Sequence, residues 1–294
     1  MRMIEQFLDF LRFERRFSNH TVIAYRNDLN QLRQFVQADS PDSELTSLTA
    51  PEIRVWLVKL MEDGLDARSV NRKITALKTF YKFAIKSQWI QTNPMLKVVS
   101  PKVSKKLPVY IEAERLDLLL DKVEFPQNFE GLRDHLILEL LYGTGMRRAE
   151  LLDLKIDDID FRLGQIKVTG KRNKQRLIPL FDALADALSA YLETRQAMAA
   201  DHSFLLCEEK GARLYPEKIY RIVKKYLSLV STQSKRSPHT LRHSFATEML
   251  NKGADLNSIK EMLGHANLSA TQVYTHNSIE KLRAIYKKAH PRGD

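Results

Sequence analysis

Seven consecutive residues, Ser237-Pro238-His239-Thr240-Leu241-Arg242-His243, gather side-chain types that bind an anion. Ser237 suits an N-cap and Pro238 a first helical turn, so the segment opens a helix. His239 and Arg242 then share one face, where free backbone N–H groups and the helix dipole favour negative charge. Taken alone, the same residues also fit a surface histidine beside a salt-bridged arginine. His239 and His243 stand four apart, but no HExxH glutamate lies between them and no cysteine is near, so no metal is expected there.

Other candidates are scattered along the chain. Arg147 follows the Thr144-Gly145 turn and borders the apolar pair Leu151 and Leu154, with Glu150 three residues on as a natural partner. Thr169-Gly170-Lys171-Arg172-Asn173-Lys174 reads as a cationic hairpin tip. Gly164 to Gly170-Lys171 is one residue too long for a P-loop and Arg172 stands where Ser or Thr is required, which excludes nucleotide binding. Asp157, Asp158 and Asp160 form an acidic cluster of the kind a metal nuclease uses, but they sit between a helix and a strand, where solvated acidic turns are common, and the metal reading carries little weight. Leu263-Gly264-His265 ends a helix with Gly264 as its C-cap, and Tyr274 follows nine residues later. On residue type alone a tyrosine there is a packing residue.

These residues need elements to hold them. Phe7, Leu8 and Leu11, then Val22, Tyr25, Leu29, Leu32, Phe35 and Val36, recur at helical spacing. Ser18 suits an N-cap; Thr49-Ala50-Pro51-Glu52 is a capping box, and Gly64 ends the helix it opens. A fourth helix over about 69–85 turns Ile74, Leu77, Phe80, Tyr81 and Ala84 inward. Pro94, Pro101 and Pro108 mark a linker, in which Lys102, Lys105 and Lys106 suit either a segment lying along phosphates or an ordinary solvated tether. Helical patterns over 113–123 and 130–143 precede short β-like runs at 159–161, 165–168 and 176–180. Helices return at 182–198 and 215–230, with four short ones over 238–288. The predicted fold is mainly α: an N-terminal helical bundle over 1–92, a basic Pro-containing linker over 93–110, and a mixed α+β domain with a small three-stranded antiparallel sheet over 111–294.

Composition bounds the partner. The 294 residues hold 47 Lys and Arg against 36 Asp and Glu, a formal charge of +11 with a pI near 9.6, which favours a polyanion. Hydrophobic residues make up 44%, enough for true cores. The single cysteine, Cys207, supports no disulfide framework and no Cys-based zinc site. Charges at Glu5, Asp9 and Glu14 interrupt any signal-peptide core, and no apolar run could span a bilayer, so a reducing cytoplasm is expected and a membrane is not.

In order and joint spacing the candidates form one pattern. An Arg after a Thr-Gly turn (Arg147), a Lys on a hairpin (Lys171), a His-x-x-Arg pair (His239 and Arg242), a His after Leu-Gly (His265) and a Tyr (Tyr274) resemble the tyrosine recombinase, or phage integrase, family. Within it the chain is similar to the bacterial Xer recombinases over nearly its whole length. Its helical first part looks like the family's SAM-like core-binding domain, and its closing Lys287-Lys288-Ala289-His290-Pro291-Arg292 like a Xer tail.

The resemblance implies a catalytic set of Arg147, Lys171, His239, Arg242, His265 and Tyr274. Tyr274 would be the nucleophile of a 3′-phosphotyrosyl intermediate, the arginines and His265 would hold the non-bridging oxygens, His239 would accept or position the tyrosine proton, and Lys171 would protonate the leaving 5′ oxygen. No cofactor and no metal are expected. Arg148, Lys102, Lys105, Lys106, Arg172 and Lys174 are the expected DNA contacts. The implied partners are a double-stranded recombination site and a homo- or hetero-tetramer with a second recombinase on two duplexes, with a septal DNA translocase as activator. The implied place is the nucleoid and the implied task the resolution of chromosome dimers. A mobile-element integrase is the nearest rival, then a type IB topoisomerase, then a non-catalytic DNA-binding protein; 294 residues leave no room for an added arm-binding domain. Ile279, Leu282 and Ile285 make a stripe too short to be a stable helix alone, expected to dock on a neighbouring protomer.

Overall fold

The structure, a computed structural model, describes residues 2–103, 109–170, 173–198, 203–233, 235–264 and 289–292. It divides into two compact units, Met1–Lys106 and Leu107–Asp294.

The first unit is a helical bundle: α1 (Arg2–Asp9, extended by a π turn over Phe10–Glu14), α2 (Asn19–Asp39), α3 (Ala50–Glu62) and α4 (Ala67–Lys86). Caps set its boundaries. Ser18 Oγ accepts from Thr21 N–H at 3.3 Å, and the Glu52 carboxylate accepts from both Thr49 N–H (2.7 Å) and Thr49 Oγ1–H (2.6 Å). Those two bonds hold the Glu52 carboxyl below the usual carboxylate range. α4 starts two residues earlier than its periodicity predicts, because Asp66 caps it through Ser69 N–H at 2.8 Å. Phe7, Leu8, Leu11, Val22, Leu29 and Leu32 close on Ile74, Leu77, Phe80 and Tyr81 as one core, while Phe35 and Val36 are only partly buried.

The second unit wraps helices around α6. In order it holds α5 (Ala113–Asp121), α6 (Phe129–Thr144), α7 (Arg148–Asp153), β1 (Ile159–Asp160), β2 (Gln165–Thr169), β3 (Gln175–Pro179), α8 (Asp182–Gln196), α9 (Pro216–Val230), α10 (Pro238–Asn251) and α11 (Leu256–Leu263). α6 is buried along almost its full length and packs against α8 and α10, which anchors both its C-terminal turn and the start of α10. The three strands form an antiparallel sheet in the order β1-β2-β3, with Ile166 opposite Ile178 and Val168 opposite Arg176. Sheet and mainly helical architecture agree with the sequence reading; of the helices expected over 238–288, α10 and α11 are described and the remainder lies outside the described residues, as does the 279–285 stripe.

Beyond that stripe, residues 289–292 pack on their own chain. His290 is buried between the Phe181 and Phe245 rings, with ring centroids 4.6 and 5.8 Å away, and its Nε2 meets the Gly143 carbonyl at 2.5 Å. Arg292 reaches Glu139 at 2.6 Å and Asp121 at 2.7 Å. Burial pushes the His290 imidazole down to about 4 and the Glu139 carboxyl up to about 7.

Candidate active site

The site grows from two helix ends and one helix start. Thr144 Oγ accepts from Met146 N–H at 3.2 Å, and Gly145 ends α6 at φ +59. A Cβ on Gly145 would lie 2.5 Å from the Phe245 ring and 2.9 Å from Leu263, so only glycine lets α6, α10 and α11 meet this closely. Arg147 follows in extended conformation as the residue before α7. Ser237 caps α10 through Thr240 N–H at 3.4 Å, placing His239 and Arg242 in the opening turns. α11 ends at Gly264, φ +65, where a Cβ would press on the Arg176 guanidinium at 3.2 Å.

Arg147 and Arg242 converge on that end. Arg242 Nη1 donates to the Gly145 carbonyl at 2.5 Å and Nη2 to the Leu263 carbonyl at 2.7 Å. Arg147 Nη1 donates to the same Leu263 carbonyl at 3.2 Å, and Nη2 to Gly264 at 3.3 Å. The last carbonyls of α11 therefore orient both guanidiniums, with the negative end of the helix dipole assisting. Glu150 fixes Arg147 from the other side: one oxygen accepts from Arg147 Nη1 (2.8 Å), and the other accepts from Arg147 N–H (2.8 Å) and Arg176 Nη2 (2.8 Å). Glu150 and Arg176 are 5% and 4% exposed. Burial pushes the Glu150 carboxyl up, but its bonds to Arg176 and Arg147 outweigh that and leave it below the ordinary range.

Two guanidiniums thus share one carboxylate, and a third, Arg242, is held nearby by backbone carbonyls. Arg242, 7% exposed, is lowered to about 10, first by burial and then by the charge of Arg147. His239 stands exposed beside them, its imidazole lowered by partial burial and by the charges of Arg242, His243, Arg147 and Arg148, which favours the uncharged form. Such an imidazole keeps a lone pair for a proton.

The structure brings Arg147, Arg242 and His239 together. Arg148 lies exposed at the start of α7, with Nη1 3.4 Å from the Pro216 carbonyl. Lys174 is exposed at the hairpin, whose closing bond runs from Gly170 N–H to the Lys174 carbonyl at 2.7 Å. Gly170 lies beside the Glu150 carboxylate, to which a Cβ would approach within 3.0 Å. Lys102 is exposed in the first unit. Lys171, His265 and Tyr274, with Lys105, Lys106 and Arg172, lie outside the described residues. The acidic group serves local structure: Asp158 accepts from Lys155 N–H at 3.0 Å and pairs with Lys167 at 3.2 Å, and Asp160 accepts from Leu163 N–H at 2.8 Å.

Sequence reasoning missed Arg176 and one whole helix face. Arg176 alternates with Ile178 on the core side of β3, and a charge at an inward strand position is the signal that would have found it. On α4, Arg68, Arg72, Thr75, Thr79, Lys82 and Lys86 follow one another at spacings of three and four, and the helix carries no carboxylate among its 20 residues. A tally of the outward positions, where only the inward ones had been read, exposes that row.

Clustered guanidiniums beside an imidazole, in a chain of formal charge +11, suit the binding of a phosphate-bearing polymer. The sequence matches the phage integrase family over residues 110–281 and the phage integrase N-terminal SAM-like domain over residues 4–88. The chain belongs to the phage integrase family and is a tyrosine recombinase, an enzyme of site-specific DNA recombination. It is 37% identical to tyrosine recombinase XerC of Chlorobaculum parvum, covering 99% of this chain and 94% of that protein. With tyrosine recombinase XerD of Staphylococcus epidermidis it shares 36%, covering 99% of both chains. Its fold is similar to that of XerH site-specific recombinase bound to difH substrate, with a TM-score of 0.71, 24% identity, and coverage of 96% of this chain and 84% of that one.

Proposed function

We propose that this chain exchanges DNA strands through a 3′-phosphotyrosyl bond at Tyr274 and resolves chromosome dimers. One observation carries the reading: Arg147 and Arg176 share the single Glu150 carboxylate, and the buried Arg242 guanidinium beside them is met only by backbone carbonyls among the described residues, leaving positive charge that an anion completes. A scissile phosphate supplies it. Arg147 and Arg242 hold its non-bridging oxygens, on which charge grows in the transition state, and His265 adds a hydrogen bond. The Tyr274 oxygen forms a bond to phosphorus as the 5′ oxygen leaves; His239 accepts or positions the tyrosine proton, and Lys171 supplies one to the 5′ oxygen. The new ester conserves the bond for rejoining.

Around this centre, Arg148, Arg172 and Lys174 contact neighbouring phosphates, Lys102, Lys105 and Lys106 run along the backbone, and the α4 row faces the duplex. Residues 1–92 act as the core-binding part and 111–294 as the catalytic part, joined by 93–110. Four subunits, of this chain alone or with a second recombinase, hold two duplexes in the nucleoid of the cytoplasm, and a septal DNA translocase triggers them.

A duplex nicked just beyond the scissile phosphate tests the chemistry, since the short fragment diffuses away and traps the covalent enzyme. Wild type is expected to become attached to this DNA, and Tyr274→Phe to bind it equally well with no attachment. Attachment by the Phe variant would place the nucleophile elsewhere.

A further inference from the structure

The α4 row holds four cations, and one of them differs from the rest. Arg72 is gripped from below by Asp28 of α2, which is 1% exposed: Nη2 donates to Oδ1 at 2.8 Å and Nη1 donates to Oδ2. The same carboxylate accepts from the buried Lys73 ammonium at 2.8 Å, and Lys73 also donates to Gln31 Oε1 and lies 5.9 Å from the centre of the Trp56 ring. Two cations on one buried carboxylate leave net positive charge, and with Lys73 enclosed it emerges at Arg72, whose side chain is 46% exposed. Lys86, by contrast, reaches an exposed glutamate, Glu14, at 3.6 Å, and no ion pair is seen for Arg68 or Lys82 among the described residues.

A cation that only neutralises phosphates gains nothing from such a grip, because a mobile ammonium or guanidinium serves as well. A fixed guanidinium is what reading a base edge requires. Asp28 occupies the end-on fork, Nη1 with Nη2, which leaves the side-on fork, Nε–H with the second Nη2 hydrogen, for an outside pair of acceptors. In the major groove, guanine presents two acceptors, O6 and N7, side by side in the spacing an arginine fork matches. The flanking α2 face supplies Asn27, Gln31 and Gln34, at spacings of four and three and all exposed, so on that side Arg72 is bordered by uncharged donors and acceptors.

We propose that Arg72, positioned by Asp28, reads one guanine in the major groove of the recombination site and so sets sequence preference at that base pair. This rests on the DNA-binding reading given above, and it separates Arg72 from the phosphate-contacting members of the row.

The test is selection of bound duplexes from a random-sequence library, with the affinity of the selected site measured against salt. Wild type is expected to select one sequence and to favour G·C at one position by about 10–100-fold over the other pairs. Arg72→Lys keeps the charge and loses the fork. It should abolish the preference at that single position, leave the others intact, and keep the salt slope. Asp28→Asn should blur the same position; because Asn cannot balance the buried Lys73, its folding is checked by circular dichroism, and Arg72→Lys stands as the deciding variant. An unchanged profile for Arg72→Lys overturns the proposal, as does uniform weakening on every sequence, which marks a phosphate contact. A wild-type protein that binds every duplex alike also overturns the proposal, whereas one that retains no duplex at all overturns the DNA-binding reading itself.

Discussion

The two units treat buried charge differently. Among the described residues the N-terminal bundle buries Asp28 and Lys73, and they pair with each other. The C-terminal unit buries Arg133, Asp134, Glu139, Glu150, Arg176, Arg195 and Arg242. Burial alone does not mark function, however. Arg133 is met by Asp134, Glu130 and Glu208, and Arg292 by Glu139, Asp121 and Asp117, so each of those cations has carboxylate partners within the described residues. Arg147 and Arg176 share the one carboxylate of Glu150 and Arg242 has none, so among the described residues this cluster carries more positive than negative charge. A desolvated charge is costly to keep, so an imbalance points to the missing ligand more reliably than depth of burial does.

The largest test of that contrast separates the buried clamp from the hairpin. Lys171→Ala should slow cleavage by about 10²–10⁴-fold, since an alkoxide leaves poorly without a proton. A 5′-bridging sulfur leaves as a thiolate whose conjugate acid has a pKa of about 8–9 and hardly needs an acid. On that substrate Lys171→Ala should recover most of its rate, while Arg147→Ala and Arg242→Ala should recover little, because sulfur leaves the non-bridging oxygens unchanged. Equal slowness of Lys171→Ala on both substrates would make Lys171 a positioning residue and Lys174 the next candidate acid.

A second measurement asks whether the Glu150 cluster is also a structural unit. Glu150→Gln leaves Arg147 and Arg176 without their carboxylate and should cost about 3–5 kcal/mol in denaturant unfolding. In the other unit, Glu5→Gln breaks only the exposed pair with Arg26 and should cost about 0–1 kcal/mol. Similar values for the two would dissolve the contrast.

The smallest effect concerns the docked C-terminal residues. His290 titrates near 6.5 when unfolded and about 4 when folded, so the unfolded chain binds more protons between those values. Stability from this group is complete above 6.5 and is lost as the pH falls towards 4, by up to about 3 kcal/mol. Glu139, raised to about 7, works in the opposite sense over about 4.5–7, favouring the folded state as pH falls. His290→Gln retains Glu139 and can still donate to Gly143, so the difference between the two proteins isolates His290. Between pH 7 and 4.5, wild type should lose more stability than His290→Gln; parallel curves would show that His290 is not buried on its own chain.

Much of this was legible in the sequence, for physical reasons. Caps and periodicity are local, so Ser18, Thr49, Ser237 and the inward face of α4 announced their elements. The candidate site was legible in part because His239 and Arg242 lie in the opening turns of one helix. The roles of Gly264 and Leu263 were not, since a carbonyl that orients two distant arginines leaves no mark on its own side chain. Asp66 went unread because its helix was located by apolar period, which starts later than the cap. Arg176 was hidden inside a strand identified by its apolar neighbours, and Asp28 is one acid among many until the fold brings Arg72 to it.

The shared carboxylate of Glu150 has a consequence for building hybrid recombinases. It ties the first turn of α7 to strand β3, through Arg147 on one side and Arg176 on the other. The hairpin is therefore not an interchangeable module, although its short strands and exposed tip suggest one. A graft that replaced β2 and β3 with strands lacking an inward arginine would leave Glu150 holding Arg147 alone, and the transplanted part would reset an angle in the host's active site. Exchanges whose borders fall before Thr144 and after Pro179 carry all three residues together and transfer the hairpin with its own alignment.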